Sequence, residues 1–101
     1  MLIIRKEAEK DIKAAFEWYE EQRINLGVSF VEEIESKLQE IEEYPALYME
    51  IMSNVRRALC KRFPYSIYFI HESLDVVVIA VLHQRRNPAV WQARKNAKQG
   101  A

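Results

Sequence analysis

The chain has 101 residues, half of them hydrophobic, and its 15 basic and 15 acidic side chains balance to a net charge of zero. This size and composition predict one compact domain and argue against a disordered chain. No segment has the length and hydrophobicity expected of a membrane span or a signal peptide. The lone cysteine, Cys60, excludes an internal disulfide and favours a reducing compartment, the cytoplasm.

The first half of the sequence predicts a short strand, residues 2–5, and then a hairpin of two helices. Apolar residues recur at helical spacing, first to about Arg23 and then again until Pro45, which disfavours helix in the residue before it. Gly27 lies in the break between the helices and is predicted to take the positive φ of a helix end. The two apolar stripes comprise Ala8, Ile12, Ala15, Phe16 and Tyr19, then Phe30, Val31, Ile34, Leu38 and Ile41.

The second half predicts an antiparallel meander of three strands. Residues 46–53 read as irregular and residues 55–62 as a strand. Two runs rich in β-branched and aromatic residues, 65–71 and 76–83, predict a hairpin around the polar turn 72–75. The second run is apolar at nearly every position, which is typical of a central strand that is covered on both faces.

The register of this hairpin decides which side chains share a face. If the turn has four residues, His71 opposes Val76 and Ile67 opposes Ala80. Strict alternation then puts seven residues on one face: Tyr65, Ile67, Phe69, Val76, Val78, Ala80 and Leu82. The other face would hold Ser66, Tyr68, Ile70, Val77, Ile79, Val81 and His83.

These elements predict an α+β fold in the order β-α-α-β-β-β, with a short C-terminal helix over residues 89–97 that carries Trp91. The helical hairpin covers one face of the sheet, and the other face and one strand edge are expected to stay open. The whole chain, residues 1–101, forms a single domain.

Few residues carry recognisable chemistry. The sequence has no phosphate-binding glycine loop and no metal-ligand spacing, so no cofactor or metal is expected. Cys60 reads as a core or half-buried strand residue. His71 lies beside the hairpin turn and is interpreted as solvated. His83 is either a structural hydrogen-bonding residue or a general base, and no serine or acid is identifiable as a triad partner.

The charge is unevenly distributed along the chain. Residues 1–50 carry 13 acidic and 6 basic side chains, and residues 51–101 carry 2 and 9. The acidic excess fits the solvated faces of two helices, whereas paired basic residues favour contact with an anionic or acidic partner. The basic pairs are Arg56-Arg57, Lys61-Arg62, Arg85-Arg86 and Arg94-Lys95.

Four aromatic residues interleave with these cations in the sequence and have two readings: stacking on nucleobases, or packing in the core. Phe69 and Trp91 are interpreted as packing residues. The sequence leaves Tyr68 open between the two readings and assigns Tyr65 to neither.

Several motifs together resemble the RelE/ParE toxin superfamily, in its ParE-like branch of plasmid stabilisation proteins. The resemblance covers nearly the whole chain and is carried by WYEEQR at 18–23, Gly27, Phe30, Pro45, VRRAL at 55–59, RFPYSIYF at 62–69 and VLHQRRNP at 81–88. It implies the growth-inhibiting toxin of a type II toxin–antitoxin pair. A small cognate antitoxin would neutralise the toxin by folding an otherwise disordered segment around it.

The branches of this superfamily differ in their targets. Members similar to RelE cut messenger RNA on the ribosome with arginines, lysines and a C-terminal tyrosine, whereas ParE-like members poison DNA gyrase. Where RelE-like enzymes often place a catalytic arginine, this sequence has Ser66, and after Arg86 it offers Trp91 rather than a tyrosine. The resemblance therefore favours a toxin that binds gyrase or another macromolecule. An mRNA endonuclease and a degenerate antitoxin-binding module are the alternatives.

The resemblance and the basic pairs together give candidate site residues. A toxin–antitoxin hetero-oligomer is expected, and no membrane contact. For catalysis the candidates are His83, Arg85 and Arg62, with no residue assigned. The predicted antitoxin contacts, in a groove beside the helical hairpin, are Trp18 and Phe30. The predicted target-binding residues are Arg56, Lys61, Arg62, Tyr68, His83, Arg85 and Arg86.

Overall fold

The computed structural model describes residues 1–95. Its elements follow in the order β1 (Leu2–Ile4), α1 (Lys6–Gln22), α2 (Leu26–Glu43), a 3₁₀ turn (Pro45–Leu47), β2 (Glu50–Met52), β3 (Val55–Leu59), β4 (Tyr65–Glu72), β5 (Asp75–His83) and α3 (Ala89–Lys95). The five strands form one sheet in the order β1-β5-β4-β3-β2. Strand β1 runs parallel to β5, and all other neighbours are antiparallel.

The predicted α+β fold, with its helical hairpin and its meander of β3, β4 and β5, is confirmed. Two details of the strands differ: the strand predicted over residues 55–62 ends at Leu59, and one further strand is present. Residues 50–52, predicted to be irregular, form the edge strand β2, which pairs with β3 through Glu50 and Met52. The predicted C-terminal helix is present over 89–95, and its last two predicted residues, 96 and 97, lie outside the described part of the chain.

The turn between α1 and α2 uses a different residue from the one predicted. Asn25 takes the positive φ, 70°, and Gly27 lies inside the first turn of α2. A Cβ at Gly27 would lie 2.5 Å from the Phe16 carbonyl oxygen and 2.8 Å from the Glu20 Cγ. Gly27 is therefore required by the close approach of the two helices. The Glu20 carboxylate then accepts a 2.8 Å hydrogen bond from the Gly27 N–H.

The register of the central hairpin contains a bulge that the sequence did not predict. His71 opposes Val76 as predicted, but Ile67 opposes Val81, because β5 has one extra residue, Ile79, between the partners of Phe69 and Tyr68. A bulge makes two successive side chains point to the same face. The prediction is therefore wrong for the four residues after it: Ala80 and Leu82 lie on the face away from the helices, and Val81 and His83 lie on the helix side.

Each face of the sheet carries its own apolar cluster. The face under α1 and α2 has a fully buried core that includes Phe30, Ile34, Ile41, Ile67, Phe69 and Val78. The far face was predicted to be open, but α3 covers it, and Val55, Tyr68, Ile70, Ile79, Ala80 and Leu82 are buried there around Trp91. The ring of Trp91 stacks on that of Tyr68 with centroids 5.2 Å apart.

Candidate functional site

Four exposed basic residues meet at one end of the sheet. The turn between β3 and β4 carries Lys61 and Arg62, and the turn after β5 carries Arg85 and Arg86. Antiparallel pairing places both turns at the same end, and the Gln84 N–H joins them through a 2.8 Å hydrogen bond to the Pro64 carbonyl. We call these four residues the cationic rim. Within residues 1–95 none of the four side chains forms an ion pair.

The backbone of the first of these turns is held from helix α2. The Glu33 carboxylate accepts hydrogen bonds from the backbone N–H groups of Lys61, at 2.7 Å, and of Arg62, at 3.2 Å. The Arg62 guanidinium lies 5.7 Å from the centroid of the Phe63 ring, within cation–π range. These hydrogen bonds to Glu33 fix the backbone of the turn, while the Lys61 side chain extends into solvent.

His83 ends β5 beside the cationic rim and is half-buried. Its Nδ1 atom accepts a 3.1 Å hydrogen bond from the Arg85 backbone N–H, so the neutral ring carries its proton on Nε2. The ring meets Tyr65 edge-on with centroids 5.5 Å apart. No carboxylate among the described residues forms an ion pair with His83, so this arrangement provides a hydrogen-bond donor and no acid–base pair.

A groove of about 260 Å³ opens next to His83, between α1 and the C-terminal half of β5. Its helix wall is one stripe of α1, at positions i, i+3, i+4 and i+7. Its strand wall ends at His83 and Arg86. We call it the β5 groove, and its lining residues are Asp11, Ala14, Ala15, Trp18, Tyr65, Val81, Leu82, His83 and Arg86.

The β5 groove exists because β1 is short. Strand β1 pairs only with Val76–Val78, and the chain then leaves the sheet at Arg5 to begin α1. Among the described residues no strand continues along that side of β5 from Ile79 to His83. The groove thus occupies the position beside β5 that a longer β1 would fill.

Part of this uncovered edge is closed by an ion pair between α1 and α3. The Asp11 carboxylate accepts a 2.9 Å hydrogen bond from the Val81 N–H and pairs with the Arg94 guanidinium, which also donates to the Ile79 carbonyl at 3.3 Å. The Asp11 and Arg94 side chains are only 12% and 19% exposed. We call this pair the clasp. It fixes the end of α3 and neutralises the one carboxylate that the described residues contribute to the groove lining.

The structure separates the other predicted site residues from this end of the sheet. Arg56 is half-buried on β3, where it donates a 2.7 Å hydrogen bond to the Tyr48 carbonyl and lies 3.7 Å from the Glu50 carboxylate. Tyr68 is 5% exposed beneath Trp91, and Phe30 is wholly buried. The predicted surface roles of Tyr68 and Phe30 are therefore wrong in this fold, because neither side chain reaches the surface.

The predicted antitoxin residue Trp18 lines the β5 groove and is 55% exposed. Sequence reasoning missed that Asp11 and Ala14 share its stripe. The spacing of Asp11, Ala14, Ala15 and Trp18 was a usable signal, since small residues on one helix face permit close approach of another segment. No sequence signal identified Arg94 as the partner of Asp11.

Burial affects the acidity of two side chains near the site. Burial raises the pKa of Tyr65, and the nearby Arg86 guanidinium partly opposes that shift. Burial, reinforced by the Glu33 carboxylate, raises the pKa of the Cys60 thiol to about 11. Cys60 is thus an unreactive thiol at neutral pH; it is buried, as predicted, but it follows the end of β3 at Leu59 instead of lying in the strand.

No helix within residues 1–95 combines the length and the hydrophobicity needed to cross a bilayer.

Comparison with known structures gives the class of fold. A solved structure described as the chromosomal ParDE toxin–antitoxin system from P. aeruginosa superposes with a TM-score of 0.73 over 81% of this chain and 92% of that chain, at 15% sequence identity. At this identity the likeness shows a shared fold.

The family follows from sequence. The model of the family described as ParE toxin of the type II toxin–antitoxin system, parDE, matches residues 2–88. The chain belongs to this ParE toxin family, and the resemblance drawn from its motifs is confirmed. The comparison with curated proteins gives no significant match.

Proposed function

We propose that this ParE-type toxin acts by binding a macromolecular target such as DNA gyrase through the cationic rim, and that a cognate antitoxin neutralises it. The observation that carries the proposal is the rim itself: four exposed cations, on two turns joined by a backbone hydrogen bond, with no ion pair among the described residues. Cations that are not already paired can attract and orient an acidic or anionic surface.

Rigid support strengthens this proposal. The Glu33 carboxylate fixes the Lys61-Arg62 backbone, and the Gln84 backbone bond ties the second turn to the first. A preorganised surface loses less conformational entropy on binding than a mobile one.

We also propose that the toxin acts in the cytoplasm. The proposed gyrase target is found there, and a free, buried thiol such as that of Cys60 is compatible with a reducing compartment.

Two placements favour binding over messenger RNA cleavage. Ser66, at the position where RelE-like enzymes often have a catalytic arginine, is 1% exposed. On the same face of the sheet, Tyr68 is covered by Trp91. Reactive groups on this face would first need removal of α3. Catalysis at the rim would depend on His83, Lys61 and the arginines.

The experiment compares two matched double variants on induction in bacteria. Arg85→Ala/Arg86→Ala removes two rim cations and is expected to lower toxicity at least about tenfold, since interfacial charges each contribute on the order of 1 kcal/mol or more. Lys10→Ala/Lys13→Ala removes the same charge from exposed positions on α1 and should leave toxicity unchanged. The readouts are colony survival, filamentation and the DNA-damage response, with gyrase supercoiling measured on purified protein.

Full toxicity of the rim double variant would refute the rim as the target surface. Cleaved messages with arrested translation, and no DNA-damage response, would replace the gyrase proposal with ribosome-dependent cleavage. A wild-type chain that binds antitoxin but never inhibits growth would identify a degenerate binding module.

A further inference from the structure

The β5 groove and the cationic rim share His83 and Arg86. We infer that the β5 groove receives an extended, acidic segment of the antitoxin, which places a bulky apolar side chain against Trp18 and a carboxylate at Arg86 and His83. This inference rests on the proposed function and adds the location and chemistry of the neutralising contact. The antitoxin would then cover part of the target surface directly.

The shape of the groove fits an extended segment. Because β1 pairs with β5 only as far as Ile4 and Val78, no strand among the described residues covers this edge of β5 from Ile79 onward. The clasp already satisfies the Ile79 carbonyl and the Val81 N–H. A segment that binds in the groove beyond the clasp would therefore contact the part of the β5 edge that is nearest to His83. Extended peptides commonly bind such edges by adding a strand.

The helix wall of the groove provides an apolar anchor site. Ala14 and Ala15 leave room beside the helix, and the Trp18 ring stands at the end of this gap with 55% of its surface exposed. The Trp18 ring is held edge-on by Tyr19, with centroids 5.1 Å apart. An aromatic ring held in this way at the mouth of an apolar gap is typical of an interface hot spot.

The charge of the groove selects an acidic partner. Among residues 1–95, Asp11 is the only carboxylate in the lining, and the Arg94 guanidinium neutralises it. The remaining polar groups are the Arg86 guanidinium and the Nε2–H of His83, both of which are donors. An arginine without a carboxylate partner, beside a second donor, matches the two oxygens of an Asp or Glu side chain.

The first experiment reports contact with the groove directly. The chain has two tryptophans, so Trp91→Phe, which keeps an aromatic ring on Tyr68, leaves Trp18 as the only one. The probes are the small protein encoded beside this chain's gene and overlapping synthetic peptides that tile its sequence. Binding of the whole protein and of one acidic peptide should shift the Trp18 emission to shorter wavelength and protect it from iodide quenching.

The second experiment measures affinity in matched pairs. Trp18→Ala and Arg86→Glu should each weaken binding of the acidic peptide by about tenfold or more, as expected for anchor and charge-pair residues. Ile24→Ala and Arg23→Glu, made at exposed positions of the α1–α2 turn, should change it by less than about threefold. Replacing the carboxylate of the peptide by arginine should restore binding to Arg86→Glu.

The outcomes separate this inference from the proposed function. If the neighbouring protein does not bind the wild-type chain, this inference and the neutralisation part of the proposed function are overturned, while the rim as target surface is judged by its own double variant. If it binds and neutralises, but the Trp18 emission and the Arg86→Glu affinity do not change, only the groove assignment is overturned. Self-association of the wild-type chain that Trp18→Ala abolishes would give the groove to a second copy and likewise overturn it.

Discussion

The two faces of the sheet are covered by very different amounts of structure. On one face the core lies under α1 and α2, of 17 and 18 residues, and on the other α3 supplies 7 residues. Both faces bury their sheet residues, Phe69 and Val78 on the first and Tyr68 and Ile79 on the second. The short helix achieves this with one large ring, Trp91, and with the clasp at its end.

This difference teaches that the two layers have separate energetic roles. The helix layer is the main core of the domain, so its loss unfolds the chain. The α3 layer depends on few contacts, so we expect it to open locally while the rest of the domain stays folded. Three substitutions, taken from the largest expected effect to the smallest, test the comparison.

Phe30→Ala tests the helix layer. Phe30 is wholly buried and contacts the rings of Tyr19, Phe63 and Tyr65, with centroids 5.0 to 5.4 Å apart. We expect the free energy of unfolding to fall by about 3–5 kcal/mol, the usual cost of removing a buried phenyl ring. Urea unfolding followed by circular dichroism measures this. The exposed Val28, on the same helix, gives the control Val28→Ala, and an equal loss in both would contradict the assignment.

Asp11→Asn tests the α3 layer. Asparagine can still accept the Val81 N–H but leaves the Arg94 guanidinium, 19% exposed, without a charged partner. The expected loss in free energy of unfolding is about 2–3 kcal/mol, below that of a fully buried pair. Amide exchange of α3 should accelerate more than that of α2.

The control for the clasp is Glu50→Gln. The Glu50 carboxylate lies 3.7 Å from Arg56, and half of its side chain is exposed, so removing its charge should cost less than about 1 kcal/mol. Equal losses in Asp11→Asn and Glu50→Gln, or uniform acceleration of exchange, would show that α3 does not open as a separate layer.

Cys60→Ala tests whether water reaches the thiol that is buried under the helix layer. The Cys60 thiol has a pKa of about 11 in the fold against 9.0 for the free group, mainly because it is buried. Between these values the unfolded chain has released the proton and the folded chain still holds it, so stability is complete below about pH 9 and falls as pH rises. One such group lowers the free energy of unfolding by up to about 1.4 kcal/mol per pH unit.

We therefore expect Cys60→Ala to lose less stability than the wild type between about pH 9 and about pH 10, a range in which a thiol of ordinary pKa ionises more completely than a tyrosine, whose ordinary pKa is about 10. Urea midpoints at the two pH values measure this difference. Tyr48 is a suitable comparison, because burial and its hydrogen bond to Glu40 raise its pKa to about 12. Tyr48→Phe should keep the wild-type slope in this range. Parallel slopes for wild type and Cys60→Ala would mean that water reaches the thiol.

The sequence predicts the parts of the fold that strong periodicity specifies. The stripe of Phe30, Ile34, Leu38 and Ile41 predicts α2, and the apolar runs predict β4 and β5. The bulge could not be predicted, because Val76–Leu82 is apolar throughout and no polar residue marks its faces. Strand β2 has no alternation of its own and forms beside the free edge of β3.

The candidate site also has one part that the sequence predicts and one part that it does not. The basic pairs at 61–62 and 85–86 follow strands that a meander brings to one end, so their meeting was predictable. The β5 groove depends on where β1 stops relative to β5, and Arg94 reaches Asp11 from 83 residues away in the sequence. Neither is a local property of the chain.

The extra residue in β5 has a consequence for how this surface can evolve. Because Ile79 is the residue of β5 that has no partner on β4, removing that single codon would let Ala80 pair directly after Val78 and would keep His83 opposite Tyr65 on the helix side. A one-residue deletion at the bulge would thus leave the histidine beside the arginines, so this surface tolerates the loss of that residue.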